Sequence, residues 1–383
     1  MTEKVVVLGA GYAGAGAITQ LESKLTDAEL VWIADQDYHL VLHESHRVIR
    51  DPSVQEKITI PVEEIKSPST TFVEGEVVDL DTTDRVVELG DGTTVDYDYV
   101  VVALGSGTAY YGIPGLAENS LTLKSLDDAL EIHDQIKAAA SGASRNDPVQ
   151  VAIGGAGLSG IQTAGEVAEF RDKHRAPIDI TLIEAMDEIM PGQDPELQQT
   201  VRKKLEDRNV EILTADPITE ATETTIHFDE GEPLDFDVFV WTGGITGRDA
   251  LENADVEKQH NRVNAEMTCQ TEDERVFAVG DSAIVDQGEG PAPPTAQAAW
   301  QAAEVVGTNV ANQIDGRPLE RFSYENKGTV ISIGEVAVAN DVMVLPINTF
   351  DGYPAKFLKK MIAARWIADV TSWGRAMSAW SVL

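Results

Sequence analysis

A single cysteine, Cys269, stands among 383 residues. One thiol forms no intramolecular disulfide, no redox-active pair and no cysteine-based zinc site, so every mechanism that needs two thiols in one chain is excluded. Positive charge is the next scarcity, since 29 Lys and Arg against 65 Asp and Glu leave a formal charge of −36. Such a chain repels nucleic-acid phosphates, and no basic stripe interrupts its first 350 residues. No nucleic-acid partner is expected. The acids are spread over turns and helix faces rather than gathered in a tail, which suits a high-salt cytoplasm where charge is screened over about 3 Å at 1 M. No apolar run reaches the roughly 18 residues that cross a bilayer, and the N-terminus runs straight into Val5-Val6-Val7-Leu8 without a signal peptide. A cytoplasmic protein is expected. The remainder is a globular composition, 43% apolar and 25% charged, of a length that suits two or three domains.

The first 35 residues read as one βαβ unit: a strand Lys4–Leu8, a glycine-rich turn Gly9–Gly16, a helix Ala17–Leu25 and a strand Leu30–Ile33 ending near Asp35. The same grammar returns later, with a strand Val149–Ile153, a turn Gly154–Gly160, a helix Ile161–Lys173 and a strand Ile178–Ile183 ending at Glu184. Short apolar strands alternating with helices predict parallel sheets covered on both faces, an α/β fold with the unit present twice. β-branched runs follow each unit: Phe72–Asp79, Val86–Leu89 and Tyr99–Leu104 after the first, Val210–Leu213, Thr224–Phe228 and Val238–Trp241 after the second. Gly112-Ile113-Pro114-Gly115 fits a crossover between the halves, and an Ala-rich helix is expected over Thr295–Ile314.

The last 29 residues differ in kind. Lys356, Lys359, Lys360, Arg365 and Arg375 against Asp369 give 5 − 1 = +4 in an otherwise acidic chain. Leu358, Ile362, Trp366, Val370, Trp373, Met377 and Trp380 recur at three- and four-residue steps, which predicts one apolar helical stripe. It fits a membrane interface, a dimerisation helix or packing on its own protein. Tryptophans beside Lys and Arg favour the interface.

Gly9-Ala10-Gly11-Tyr12-Ala13-Gly14 is a GxGxxG that follows a strand and opens a helix. The first glycine permits the tight turn, the second lets backbone approach a pyrophosphate and the third brings helix against strand. Gly155-Ala156-Gly157-Leu158-Ser159-Gly160 is a second copy, and Glu184 after it would bind a ribose 2′-hydroxyl and repel a 2′-phosphate, favouring NAD(H) over NADP(H). The corresponding acid of the first copy would be Asp35. Val276-Phe277-Ala278-Val279-Gly280-Asp281 is a strand ending in Gly-Asp, equally an ordinary turn or a place where an aspartate meets a polyol.

Together these segments resemble the two-dinucleotide-binding flavoprotein family, and within it the type II NADH dehydrogenases, which are NADH:quinone oxidoreductases. The narrower resemblance rests on Asp37-Tyr38-His39, Leu182-Ile183-Glu184-Ala185, Met190-Pro191-Gly192, Val240-Trp241-Thr242-Gly243-Gly244 and Pro294-Thr295-Ala296-Gln297-Ala298-Ala299-Trp300-Gln301. It implies two Rossmann-like domains, an FAD domain over 1–112 and 250–320 and an NAD(H) domain over 113–249, then a membrane-associating or interface region over 321–383. Non-covalent FAD would lie along Gly9, Gly11, Tyr12, Ala13, Gly14, Asp35, Gly105, Gly280, Asp281 and Gln297. NADH would meet Gly155, Gly157, Leu158, Gly160, Glu166, Glu184 and Gly243. Gln297, Gln301, Lys359 and Ile362 would border a quinone pocket, with Glu166, Gln297 and Gln301 as the catalytic candidates.

The resemblance further implies a peripheral protein on the cytoplasmic face of the membrane, with a second copy of the chain as another candidate partner. Three departures stand out: the usual ribose acid aligns with Ala34, Ala103-Leu104-Gly105 replaces Ala-Thr-Gly, and Gln162 stands where Glu is common. A flavin- and NAD-binding sensor and an NADH:ferredoxin-type reductase are the alternatives on the same scaffold. Outside the resemblance, Glu166 reads equally as a nicotinamide-orienting group or a solvated helix carboxylate. His39, His43 and His46 read as a solvated or core-edge cluster rather than a metal site, and no metal is expected.

Overall fold

Val5, Val6, Val7 and Leu8 are all fully buried, as a strand covered on both faces must be. In the computed structural model, which describes residues 2–25, 27–343 and 348–383, Lys4–Leu8 is the centre of a five-stranded sheet. Glu29–Ala34 and Tyr99–Val102 flank it, and Thr71–Glu74 and Val276–Ala278 form the edges, all parallel. The edge strand Val276–Ala278 comes from far along the chain, so this sheet is discontinuous in sequence. A second parallel sheet places Val149–Gly154 between Ile178–Ile183 and Val238–Trp241, with Val210–Leu213 outside.

The helices after the two central strands are Tyr12–Lys24 and Leu158–His174. Both start earlier than the sequence suggests, because the third glycine of each turn lies inside the first helical turn rather than before it. The expected strand Phe72–Asp79 is two strands. Thr71–Glu74 stays in the large sheet, and Val77–Asp81 turns away at Gly75 to pair antiparallel with Val86–Leu89.

Thr295 caps the helix Ala296–Ile314 by accepting the Ala298 N–H, and this helix crosses Tyr12–Lys24 at small residues. A Cβ on Gly16 would lie 2.7 Å from that of Ala303, and one on Gly307 would lie 2.5 Å from that of Gln20. The chain then forms an antiparallel hairpin, Thr329–Ile333 with Val336–Asn340, followed by the helices Tyr353–Val370 and Trp373–Ala379.

The single stripe predicted for the last segment is therefore broken. The long helix ends at Val370, and Ser372 caps a new one through the Arg375 N–H. Trp366 and Val370 enter the core, whereas Ile362, Trp373 and Met377 remain exposed. The seven-residue spacing of the tryptophans does not survive the change of direction at Thr371.

The helix Leu158–His174 lies so close to the hairpin that a Cβ on Gly165 would sit 2.5 Å from the Gly334 nitrogen and 2.7 Å from Ile333 backbone atoms. Gly165→Val is expected to lower the unfolding free energy in urea by about 1–3 kcal/mol. Gly142→Ala, at a glycine whose Cβ would meet nothing within 4 Å, should leave it unchanged or raise it.

Candidate functional site

A helix N-terminus carries four backbone N–H groups without intrahelical partners, and both parallel sheets aim one such end beyond their strands. In the first, the Gly9 N–H donates to Ile33 O at 2.7 Å and Gly9 has φ +100°. A Cβ on Gly14 would fall within bonding distance of the Gly9 carbonyl, whereas one on Gly11 would meet nothing within 4 Å. The turn is thus closed towards the strand and open towards a ligand. Tyr12 and Ala13, next in the turn, are buried.

The second turn repeats this geometry. Gly155 N donates to Ile183 O at 2.8 Å, Gly155 has φ +91°, Gly160 packs on the Gly155 carbonyl and Gly157 is open. Gly243 closes the wall behind it, since a Cβ on Gly155 would lie 2.6 Å from the Gly243 Cα. Leu158, first in the helix, is exposed. Glu184 accepts the Ala156 N–H on one carboxylate oxygen at 2.9 Å and the Met186 N–H on the other at 3.1 Å.

The two strand registers make Ala34 the counterpart of Glu184, because Leu8 pairs with Ile33 as Gly154 pairs with Ile183. Asp35 lies one residue past the strand and is exposed. At the far edge of the first sheet, Gly280 and Asp281 form a short turn after Val276–Ala278. The Asp281 carboxylate accepts the Ser106 hydroxyl at 3.2 Å, the Lys124 ammonium donates to Ser106 at 3.3 Å, and Arg262 Nε donates to the Asp281 carbonyl at 2.8 Å. Burial lowers the Lys124 pKa, which Asp281 partly offsets. Gly105, with φ +71° and nothing within 4 Å of a Cβ, borders the same edge. Ser106, Lys124 and Arg262 escaped the sequence reading because they are scattered singly through unrelated segments.

Glu166 is not a solvated carboxylate. It is fully buried, its Oε2 lies 3.0 Å from Arg50 Nε and its Oε1 3.8 Å from His46, and neither oxygen receives a hydrogen bond. Burial pushes its pKa up to about 7 against the pull of Arg50 and Arg47. Beside it, Lys359 is buried as well, donating to Ser332 Oγ at 3.0 Å and lying 3.6 Å from Glu44. Burial raises the Glu44 pKa, but Lys359 and Arg47 more than reverse this and hold it well below the carboxylate range.

Of the solvated and core-edge readings of the three histidines, the structure has the second, on a strand, Tyr38–Leu40, and a 3₁₀ helix, Leu42–Ile49. His39 and His46 are buried and His43 is half-buried. His39 Nδ1 meets the Ala10 carbonyl at 2.7 Å, His43 bonds the Tyr12 hydroxyl, and His46 Nε2 lies 2.9 Å from Ser332 Oγ. Among the described residues, no group of three or more His, Cys, Asp or Glu is arranged to hold a metal ion.

Gln297 and Gln301 do share one face of the helix Ala296–Ile314, and both amides hold the following loop. Gln297 Oε1 accepts the Lys327 N–H at 2.9 Å and the Tyr324 hydroxyl at 3.1 Å, and its Nε2 donates to Gly328 O at 3.3 Å. Gln301 exchanges both bonds with the Glu325 backbone at 2.9 and 3.0 Å. Between them in sequence, Trp300 meets Trp366 edge to face at 4.8 Å, which joins this helix to Tyr353–Val370. On that helix Ile362 is exposed and Lys359, three residues away, faces inward.

With this geometry in hand, comparison with known proteins gives a consistent result. The family model described as pyridine nucleotide-disulphide oxidoreductase matches residues 3–303. A type II NADH:quinone oxidoreductase of Staphylococcus saprophyticus is 32% identical, with 98% of this chain and 97% of the relative covered. That of Staphylococcus aureus is 31% identical over the same shares. Among solved structures, NDH2 from Plasmodium falciparum in complex with NADH superposes with a TM-score of 0.84 at 16% identity, covering 100% of this chain and 98% of that one. The sulfide:quinone oxidoreductase of Aquifex aeolicus shares the fold with a TM-score of 0.80 at 18% identity, over 96% and 91% of the two chains. The chain therefore belongs to the pyridine nucleotide-disulphide oxidoreductase family and, within it, to the type II NADH:quinone oxidoreductases.

Proposed function

We propose that this chain is an NADH:quinone oxidoreductase that holds FAD at the first glycine turn, binds NADH at the second and passes two electrons to a quinone. The observation that carries it is the pair of open helix N-termini, each backed by a glycine with positive φ, in a chain of this family. FAD supplies the redox chemistry, accepting hydride from NADH and returning two electrons to the acceptor. The residues fit that group: Gly9, Gly11 and Gly14 leave the first turn open to a pyrophosphate, and Gly280 with Asp281 offers a carboxylate at the strand edge.

The FAD domain takes 1–112 and 250–320, the NAD(H) domain takes 113–249, and the 321–383 segment forms the quinone and membrane side. Glu184 selects NADH by occupying the space of a 2′-phosphate with a fixed negative charge. Glu166, protonated or ionised near neutrality, is the proton-holding group between the second helix and the C-terminal segment. Gln297 and Gln301 line the quinone side and fix the 324–328 loop there. Ile362 borders that side from outside, and Lys359 contributes from within the buried cluster.

A lipid-dissolved quinone requires a membrane contact, and the exposed Tyr353, Phe357, Met361, Ile362, Trp373 and Met377 supply apolar area beside Lys356, Lys360 and Arg365. No helix of the described residues is long and apolar enough to cross a membrane, so this contact would be peripheral.

Anaerobic stopped-flow tests the reaction: flavin absorbance near 450 nm should bleach on mixing with NADH and recover on mixing with a soluble quinone. Bleaching without recovery would replace the quinone by a protein acceptor, and no bleaching would leave a sensor. For the membrane, Trp373→Glu with Met377→Glu should abolish co-sedimentation with anionic vesicles while NADH-driven bleaching is kept; undiminished co-sedimentation would remove this face as the anchor. Glu166 gives a linkage prediction. Its folded pKa lies above the usual 4.5, so its stabilising effect is complete below about pH 4.5 and is lost as pH rises to about 7. The unfolding free energy of the wild type, measured in urea relative to Glu166→Gln, should fall by up to about 1.4 kcal/mol per pH unit across that window.

A further inference from the structure

The two glycine turns are alike in backbone and unlike in what secures them. In the second, the Glu184 carboxylate bonds the Ala156 N–H and the Ala156 carbonyl accepts the Met190 N–H at 2.9 Å, so that residue is held on both its polar groups by neighbouring segments of its own half. In the first, the counterpart of Glu184 is Ala34, which has nothing to offer the Ala10 N–H. The Ala10 carbonyl is fastened like that of Ala156, but by a side chain rather than by a backbone N–H. His39 Nδ1 lies 2.7 Å from Ala10 O, and Trp366 Nε1 donates to His39 Nε2 at 2.8 Å.

Both bonds fit one neutral tautomer only, in which Nδ1–H donates and Nε2 accepts. Burial lowers the His39 pKa to about 4, in keeping with that neutral ring. Aromatic contacts enclose the same bridge: Trp366 lies 4.9 Å from Tyr12 and 5.6 Å from His39, and Tyr12 lies 5.1 Å from His39 edge to face. Because Tyr12 follows Gly11 directly, both sides of the turn rest on one tryptophan of the C-terminal helix Tyr353–Val370.

We infer that His39 is a positioning residue for the first dinucleotide: it fastens the carbonyl of its glycine turn to Trp366, where the second turn uses the Met190 backbone, in a turn that also lacks a carboxylate like Glu184. The C-terminal helix is thus tied to the first turn through Trp366, whereas its approach to the second half, beside Glu166, is through Lys359, on a different turn of the helix. This rests on the reading that the first turn holds FAD.

The test is the rate of FAD release from the full-length holoprotein, followed by the rise in flavin fluorescence after dilution, together with NADH affinity in the same samples. Trp366→Phe keeps the ring against Tyr12 and Trp300 while removing the donor, and should speed FAD release about tenfold with NADH affinity unchanged within about twofold. His39→Ala should do the same or more. Unchanged release in Trp366→Phe, or an equal loss of NADH affinity, overturns the inference, and this holds even if His39→Ala fails to fold. A wild type that binds NADH but no flavin overturns the reading beneath it and the inference with it.

Discussion

Backbone N–H groups at two helix N-termini are the attraction that the rest of this molecule is arranged to preserve. A chain of −36 that binds polyanionic dinucleotides has few side-chain cations to spare for them. Unpaired N–H groups are the one positive feature that does not alter net charge, and they act only where backbone comes within hydrogen-bonding distance. That distance is set by glycines that a Cβ would block at Gly9, Gly14, Gly155 and Gly160. Parallel strands then hold each turn in register, through Gly9 to Ile33 and Gly155 to Ile183.

A second constraint ties the two sheets to the C-terminal segment. Glu44, Arg47, Arg50, Glu166 and Lys359 converge in a volume where ions are costly to desolvate, so their presence is a poor argument for stability. It is a better argument for specificity of arrangement. Glu44, Arg47 and Arg50 belong to the first half, Glu166 to the helix of the second glycine turn, and Lys359 to the final helix. Removing any one would leave the others uncompensated, so the three parts keep one relative placement. Arg50 extends the cluster outward by pairing with Glu335 as well as with Glu166, and Lys356 pairs with Glu335. The buried Glu166 is thus joined to the surface through Arg50, Glu335 and Lys356.

The repeated βαβ units, the parallel sheets and both glycine turns were legible in the sequence because local composition determines them. Ile178–Ile183 and the end of the Ala-rich helix at Ile314 fall where the pattern places them. What was not legible depends on which distant segments meet. Glu166 reads as readily as a solvated helix carboxylate until the Arg50 and His46 segments fold over it, and whether the three histidines are solvated or at the core edge is decided by what packs over Tyr38–Leu40 and the 3₁₀ helix after it. Gln297 and Gln301 were singled out by the family resemblance, but their bonds to the 324–328 backbone follow from a loop whose path no periodicity encodes. The C-terminal stripe misled because periodicity ignores the break at Thr371 and Ser372, where one helical wheel becomes two.

That break gives the last segment two unlike faces. Inward, Trp366 and Lys359 reach the first glycine turn and the buried ions; outward, Ile362, Trp373 and Met377 meet solvent. Ala355, Ala363, Ala364 and Ile367 are buried beside them, so deleting the segment would expose core as well as remove a surface. A truncated chain that failed to reach membranes would therefore report lost flavin or lost packing as readily as a lost anchor. The faces must be altered separately. Because both lie on helices packed directly against each other, a load on the outer face has a short and rigid path to Trp366, and through His39 to the turn that would carry the flavin.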